Sequence, residues 1–316
     1  MADTTHQGNW YVLVSGLTLV TSPITVASGL SIRNLDFPLS VFDLAAAGAV
    51  GLREWAVLEP FAKDCHCEIE SAADAAILPG YDALNRAWLL SALLTLRGFG
   101  RHLCLACSSY SWNLIAGHVE RSKEVFHQQV AREGLEAAIY TPNRDLPPFK
   151  GNLLDYHLKW LIEKDCRDDP LSQEDLLWIQ QHFNSFNALA SESDKFRFAL
   201  EAAIEWRYTK DARVAIARLW SGIEAIFGVS SELVYRLSLL AASLLAPRGP
   251  LRKEKFESVK KLYGIRSKAV HGEPLPDNVL LQAMSDSHQL LRDLLCHIVA
   301  KGRPLTNEDL DRAVFD

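Results

Sequence analysis

Hydrophobic and polar positions divide the chain into two unlike halves. Trp10 to Val20 is rich in Val, Leu, Tyr and Thr, and Ile24 to Ile32 follows Ser22-Pro23. Both stretches predict strands, paired through a turn near Pro23. From Pro38 to Ala62 the period turns helical, with Val41, Leu44, Leu52, Trp55 and Leu58 recurring, although Gly48 and Gly51 interrupt it. Cys65 to Ser71 predicts a short strand and Tyr81 to Arg97 a helix stopped by Gly98-Phe99-Gly100. Arg101 to Ile115 predicts one strand or two, and Leu135 to Tyr140 another. Between Thr141 and Asn152, three prolines and a glycine argue against regular structure and mark a boundary. A mixed α/β domain over 1–145 is therefore expected, followed by a second domain over 152–316.

The second half repeats at helical spacing almost throughout. A short helix is expected over Leu153 to Asp165. Ser172 has the chemistry of an N-cap for a helix to about Ala190, with Glu174 and Asp175 favoured in its first turn by the helix dipole. Asp194 to Tyr208 follows. Asp211 opens a helix that Gly228 closes, and Ser231 caps one stopped by Pro247. Leu251 to Val270, the long amphipathic Asp277 to Ala300 and a short Thr306 to Phe315 complete the set. The fold class is α+β, a mixed α/β region leading into an all-α helical bundle.

Length and composition add bounds. At 316 residues, with 48% hydrophobic and 23% charged residues, the chain has material for two soluble cores. The longest apolar runs, Ala87 to Leu96 and Leu237 to Ala246, fall short of the ~20 residues a membrane span needs. Met1 to His6 lacks a basic and apolar leader, so no secretory signal is expected. Six cysteines in a chain this long do not form a disulfide scaffold, which points to a reducing cytoplasm. Net charge is −6, yet Arg248 to Lys268 holds eight basic and two acidic residues. A basic patch on an acidic body suits a local polyanion site, and equally a solvated helix face laced with ion pairs.

The chemistry concentrates in that patch. Arg266 and His271 are five residues apart near the end of the expected helix. An arginine that holds phosphate, beside a histidine that moves protons near neutrality, suits phosphodiester chemistry. On an ideal helix five residues advance 500°, so the two side chains sit about 140° apart unless the helix ends between them. Gly272 and Pro274 predict that it does. The plain alternative is a C-capping histidine and a surface arginine. Glu224 lies on the apolar stripe of Ile216, Trp220, Ile223 and Phe227 and so requires a partner, either Arg266 or His271, or else Arg218 or Arg236.

Two blocks carry a resemblance. The run Tyr263, Arg266-Ser267-Lys268 and His271-Gly272 resembles the Arg-x4-6-His motif of the HEPN superfamily, more narrowly the Apea-like HEPN group. The segment Leu219-Trp220-Ser221-Gly222-Ile223-Glu224-Ala225-Ile226-Phe227 is similar to that group's L-W-x-x-x-E-x-L-F helix. The likeness covers roughly the last half of the chain. It implies a metal-independent endoribonuclease, without cofactor, that leaves 2′,3′-cyclic phosphate ends. It also implies a homodimer in which two motifs face each other, and a role as a toxin or anti-phage defence effector acting on RNA such as tRNA. In that reading Arg266 stabilises the phosphorane and His271 transfers a proton. Glu224 orients one of them, Tyr263 and Ser267 support them, and Arg252, Lys253, Lys260, Lys261 and Lys268 hold the RNA backbone. Ser267 departs from the Asn, Asp or His usual after the arginine. The alternative is an inert RNA-binding or dimerising module. The first half would be a sensor or restraint that a protein or ligand trigger engages.

Other chemistry is thin. Cys65-His66-Cys67 and Cys104-Leu105-Ala106-Cys107 have the minimum spacing for a zinc site, but residues i and i+3 of a strand point to opposite faces, so buried free thiols and no metal are expected. There is no nucleotide-binding phosphate loop and no nucleophile elbow.

Overall fold

The computed structural model of the chain describes residues 8–46, 59–72, 83–133, 151–153, 166–229 and 231–316. Six strands among them form one antiparallel sheet. They are β1 (Asn9–Ser15), β2 (Ile24–Ala27), β3 (Leu30–Asn34), β4 (Cys65–Ala72), β5 (Leu103–Ser108) and β6 (Gly151–Leu153), in the order β2-β3-β4-β1-β5-β6. An all-helical region follows, so the fold is α+β.

The strand pairing differs from the expectation. The first strand does not turn into the second at Pro23. It lies between β4 and β5, with Val12, Leu13 and Val14 all buried. A strand covered on both faces has no polar side to show, which is why its sequence alternates poorly. The Ile24 to Ile32 stretch is itself the hairpin β2-β3, turning at Ser28-Gly29, where Gly29 has φ 65°. Only part of Arg101 to Ile115 is strand. Trp112–Ile115 is a short helix capped by Ser111, and Glu68 of β4 accepts the Trp112 N–H at 2.6 Å. Inside the stretch expected as a helix over 38–62, Val41–Ala46 (α1) is helical. Of the helix expected over Leu153 to Asp165, Leu153 belongs instead to β6 and the rest lies outside the described residues, as does the strand expected for 135–140. At 151–152, where no regular structure was expected, β6 instead extends the sheet along β5, so the sheet reaches past the boundary drawn from the prolines.

A bulge in β5 also revises the reading of the cysteines. The register with β1 slips between Leu13↔Ala106 and Val14↔Cys104. One extra residue turns Cys104 and Cys107 onto the same face, within the core cluster that includes Cys67, while Leu105 and Ala106 face the other way. No cysteine is joined in a disulfide, and among the described residues no group of three metal-ligating side chains occurs. Burial pushes the Cys65 thiol up to about 12.

The helices of the second region are α5 (Gln173–Glu192), α6 (Asp194–Glu205), α7 (Ala212–Phe227), α8 (Leu233–Leu245), α9 (Pro250–Val270), α10 (Asp277–Lys301) and α11 (Asn307–Phe315). Before them come α2 (Ala83–Leu96), α3 (Trp112–Ile115) and α4 (His118–Glu133). Capping explains most of the ends. Ser172 and Asp175 form a reciprocal capping box at α5, and Thr306 and Asp309 form another at α11. Ser231 does not cap α8; its N-cap is Glu232 at φ 50°, with no side-chain bond. Among the described residues no helix is long and apolar enough to cross a membrane.

Helix α2 joins the two regions. Its residues Ala87, Leu89, Leu90, Ala92, Leu93, Leu94 and Leu96 are buried on every side, as a helix packed between layers must be. It touches β1, β4 and β5 on one side and α5, α6 and α10 on the other, so one apolar cluster runs from Val12 to Leu310. Asp175 fixes the same junction. It accepts Arg97 Nη2 at 2.6 Å, Arg167 Nη1 at 2.8 Å and the Ser172 hydroxyl at 2.7 Å.

Two buried groups set an acid limit on stability. Burial pushes the His102 imidazole down to about 4, and the nearby Arg207 cation adds to the effect. The unfolded histidine titrates near 6.5, so between 6.5 and 4 the unfolded chain binds a proton that the folded chain refuses. The contribution is complete above pH 6.5 and is lost as pH falls, by on the order of 3 kcal/mol. Burial raises the Asp175 carboxyl, but hydrogen bonds from Arg167, Ser172 and Arg97 outweigh it and hold the group below the usual carboxylate range. Its contribution is present above its unfolded value, about 3.9, and is lost as pH drops further. Urea midpoints should therefore fall from pH 7 to pH 4 and more steeply below. His102→Gln should flatten the upper part of that profile. A wild-type midpoint constant from pH 7 to pH 4 would contradict the assignment.

Candidate functional site

Both motif blocks lie on packed helices. Asp211 opens α7 by accepting the Arg213 and Val214 N–H groups, and Gly228, at φ 62°, closes it by donating to Glu224 O. The face of Ala215, Ile216, Leu219, Trp220, Gly222, Ile223, Ile226 and Phe227 is buried. Gly222 allows the closest approach: a Cβ there would stand 2.9 Å from the Ala202 Cβ and 3.1 Å from Leu291 Cδ2. Helix α9 starts with Pro250 at its first turn and buries Val259, Leu262, Tyr263 and Ala269.

Helix α9 ends between the two motif residues, as expected. His271 is the C-cap, and Gly272 follows at φ 74°. Gly272 N–H donates to Ala269 O at 3.3 Å and Glu273 N–H to Lys268 O at 3.0 Å. These are the two bonds of a Schellman motif. Arg213 of α7 fastens the turn from outside, donating to Ala269 O at 3.1 Å and to Glu273 O at 2.9 Å. The backbone is thus held two residues before and two residues after His271. No spacing rule links positions 213 and 271, so sequence reasoning missed this clamp.

Arg266 is part-buried against the bundle. Its Nη2 donates to Glu224 Oε1 at 3.0 Å, and its guanidinium carbon lies 5.3 Å from the centre of the Tyr263 ring. Tyr263 meets Trp220 edge-on at 5.1 Å. The Trp220 indole N–H donates to Ser287 Oγ at 3.0 Å, and Ser287 Oγ donates to Ala283 O at 2.6 Å. A continuous set of contacts therefore runs from α10 through α7 to Arg266. Of the partners open to Glu224 on sequence grounds, Arg218 is taken by Glu205 at 3.1 Å, and Arg266 is the one that Glu224 holds.

The pair Glu224–Arg266 is about one-quarter exposed, so solvent screens it. Glu224→Gln is expected to cost about 1 kcal/mol, nearer to a surface pair than to the ~3–5 kcal/mol of a buried one. Urea denaturation measures it, and Glu224→Ala should cost more because Arg266 Nη2 then loses its acceptor.

The remaining candidates separate into two groups. Lys253, Lys260, Lys261, Lys268 and His271 are exposed. At 100° per residue they fall within about 100° of one face of α9. Lys260 lies 5.8 Å over the Phe256 ring. Arg252 is placed otherwise. Its Nε donates to Ala246 O at 3.1 Å and its Nη1 to Ala313 O at 3.0 Å, so this guanidinium ties α9 to the ends of α8 and α11 rather than joining the lysine face. Arg248 does the same through Val314 O. Ser267 is half-buried, and its carbonyl accepts the His271 N–H at 3.1 Å.

The arrangement thus places an arginine bound to Glu224 and an exposed histidine near one helix end, with lysines on the exposed face of the same helix. Compared with protein-family models, with curated proteins and with solved structures, the chain matches none.

Proposed function

We propose that the chain is a metal-independent endoribonuclease of the HEPN type, acting as a dimer through its helical bundle. The observation that carries the reading is the 3.0 Å bond from Arg266 to Glu224, which joins the two blocks of the resemblance across 42 residues of sequence. A catalytic arginine needs a fixed head, and Glu224, Tyr263 and the Trp220–Ser287 contact fix this one.

The chemistry follows from the groups. A ribose 2′-oxygen attacks phosphorus while the bond to the 5′-oxygen breaks, and one proton leaves the 2′-hydroxyl as another reaches the departing oxygen. His271 makes one of those transfers. Arg266 stabilises the negative oxygens of the phosphorane. Products carry a 2′,3′-cyclic phosphate and a 5′-hydroxyl, and DNA, which lacks the nucleophile, is inert. Lys253, Lys260, Lys261 and Lys268 bind the RNA backbone along the face that leads to His271. Because Arg266 is bound to Glu224 within the bundle while His271 is exposed, a second chain supplies the closing half of the site. Cutting an RNA such as tRNA in this way would arrest translation, the action of a toxin or phage-defence effector.

That same separation favours a second reading, an RNA-binding or dimerising module whose Arg-x4-His motif is inert. Cleavage of single-stranded RNA and tRNA in EDTA distinguishes the two. A nuclease yields cyclic-phosphate ends that disappear in His271→Ala. A module retains RNA uncut in both proteins.

A further inference from the structure

We infer that single-stranded RNA lies along α9 and stacks one unpaired base on an aromatic step formed by Tyr235 of α8 and Phe256 of α9. This stacking rests on the proposed contact of the α9 lysines with RNA, whether that RNA is cut or only held. It names the form of RNA that the face takes, a strand with a base free of pairing. The step stands where α8 and α9 pack against each other. The Tyr235 and Phe256 rings meet at 5.6 Å with 72° between their planes, an edge-to-face pair. Tyr235 is 58% exposed, and among the described residues its hydroxyl makes no hydrogen bond. Phe256 thus holds the tyrosine ring while much of it stays open to a flat partner.

The charges sort around this step. Lys260 Nζ lies 5.8 Å from the centre of the Phe256 ring. Lys253 and Lys260 stand three residues before and four after Phe256, the spacings at which helical side chains are neighbours. The exposed carboxylates of the same stretch, Glu254 and Glu257, stand two before and one after, the spacings at which they are not. Among the described residues Lys253 and Lys260 pair with no carboxylate, unlike Lys255, which lies 3.7 Å from Asp293. On α8 the exposed Glu232 and Arg236 beside Tyr235 offset each other. A bare apolar patch would suit a protein partner. An open aromatic ring beside unpaired ammonium groups suits a base and its phosphate, the combination that single-strand sites use.

Gly264 marks the path from the step to His271. It is exposed inside α9, four residues after Lys260 and four before Lys268. Glycine inside a helix is unfavourable relative to alanine. Packing does not explain it, since a Cβ there would meet nothing within 4 Å. A strand passing close over the helix does, because the missing side chain leaves a low point between the two lysines. From Phe256 to His271 the helix axis runs about 22 Å at 1.5 Å per residue. The stacked base therefore lies several nucleotides from the phosphate at His271.

The test is fluorescence anisotropy of the full chain carrying His271→Ala, so that no cutting disturbs the equilibrium. The probes are a labelled mixed-sequence oligoribonucleotide, the same strand in a duplex, and a set of strands each with one abasic sugar. The single strand should bind more tightly than the duplex. Tyr235→Ala should weaken single-strand binding by about 5- to 150-fold, the loss of one base–aromatic stack. Tyr235→Phe, which keeps the ring, should bind nearly as before. An abasic sugar at one position should weaken binding when Tyr235 is present and make no further difference in Tyr235→Ala, a coupling that a merely structural role of the ring would not give. Gly264→Leu has room for its side chain, so it should fold and bind RNA more weakly. Equal binding by Tyr235→Ala, equal binding of the duplex, or indifference to every abasic position would overturn the step and leave the lysine face standing. Absence of any RNA binding would overturn both.

Discussion

His271→Ala is expected to lower RNA cleavage by about 10²- to 10⁴-fold, the usual contribution of a positioned proton-transfer group. The melting temperature should stay within about a degree of the wild type. The separation of the two effects is the point. His271 is exposed at the end of α9, and the turn around it is held by backbone bonds and by Arg213, none of which uses the imidazole. Removal of an exposed side chain of this kind changes stability by no more than ~0.5 kcal/mol. Arg266→Ala should also lose cleavage but with a measurable loss of stability, because Glu224 is left without its cation. Initial rates on a labelled oligoribonucleotide, beside thermal melts of the same preparations, give both quantities. If His271→Ala unfolded the protein, the exposed position assigned to it would be wrong.

Trp220→Ala should give the largest loss of stability of any single change in the site, about 3–5 kcal/mol. The indole is fully buried, its N–H is donated to Ser287, and its ring packs perpendicular to that of Tyr263. Truncation opens a cavity where α7, α9 and α10 meet and removes an aromatic pair worth about 0.5–1.5 kcal/mol beyond its area. Trp220→Phe keeps most of the volume and should cost about 1–2 kcal/mol, chiefly the hydrogen bond. Because Tyr263 carries the Arg266 guanidinium, both variants should also cut RNA more slowly than their folded fraction accounts for. Urea unfolding followed by circular dichroism ranks the variants. Near-equal midpoints for Trp220→Ala and the wild type would contradict the packing described.

The helical region was largely legible in the sequence because its signals are local. Ser172, Asp211, Gly228 and Thr306 mark helix ends by the chemistry of a single turn, and the structure places them there. The end of α9 between Arg266 and His271 was legible for the same reason, since Gly272 at the turn is a local signal. The sheet was legible as strands but not as pairings. A strand buried on both faces, such as β1, carries no alternation to reveal its neighbours, and the β5 bulge that turns Cys104 and Cys107 to one face leaves no mark in composition. In the site, periodicity showed that Glu224 needed a cation but not which one, because Arg218, Arg236 and Arg266 are told apart only by tertiary distance. Arg252 shows the converse. Its place in a basic run suggested a phosphate contact, whereas the packing of α8 and α11 gives it carbonyls to bind.

The most direct test of the central proposal is cleavage, in EDTA, of an oligoribonucleotide and of the same oligomer with a 2′-deoxy sugar at the cut position. Wild type, His271→Ala and Arg266→Ala should be compared and the product ends identified. The expected result is cutting by the wild type alone, of the ribose substrate alone, leaving 2′,3′-cyclic phosphate and 5′-hydroxyl ends. Equal cutting by all three proteins, or cutting of the 2′-deoxy substrate, would contradict it and would place the active centre away from Arg266 and His271.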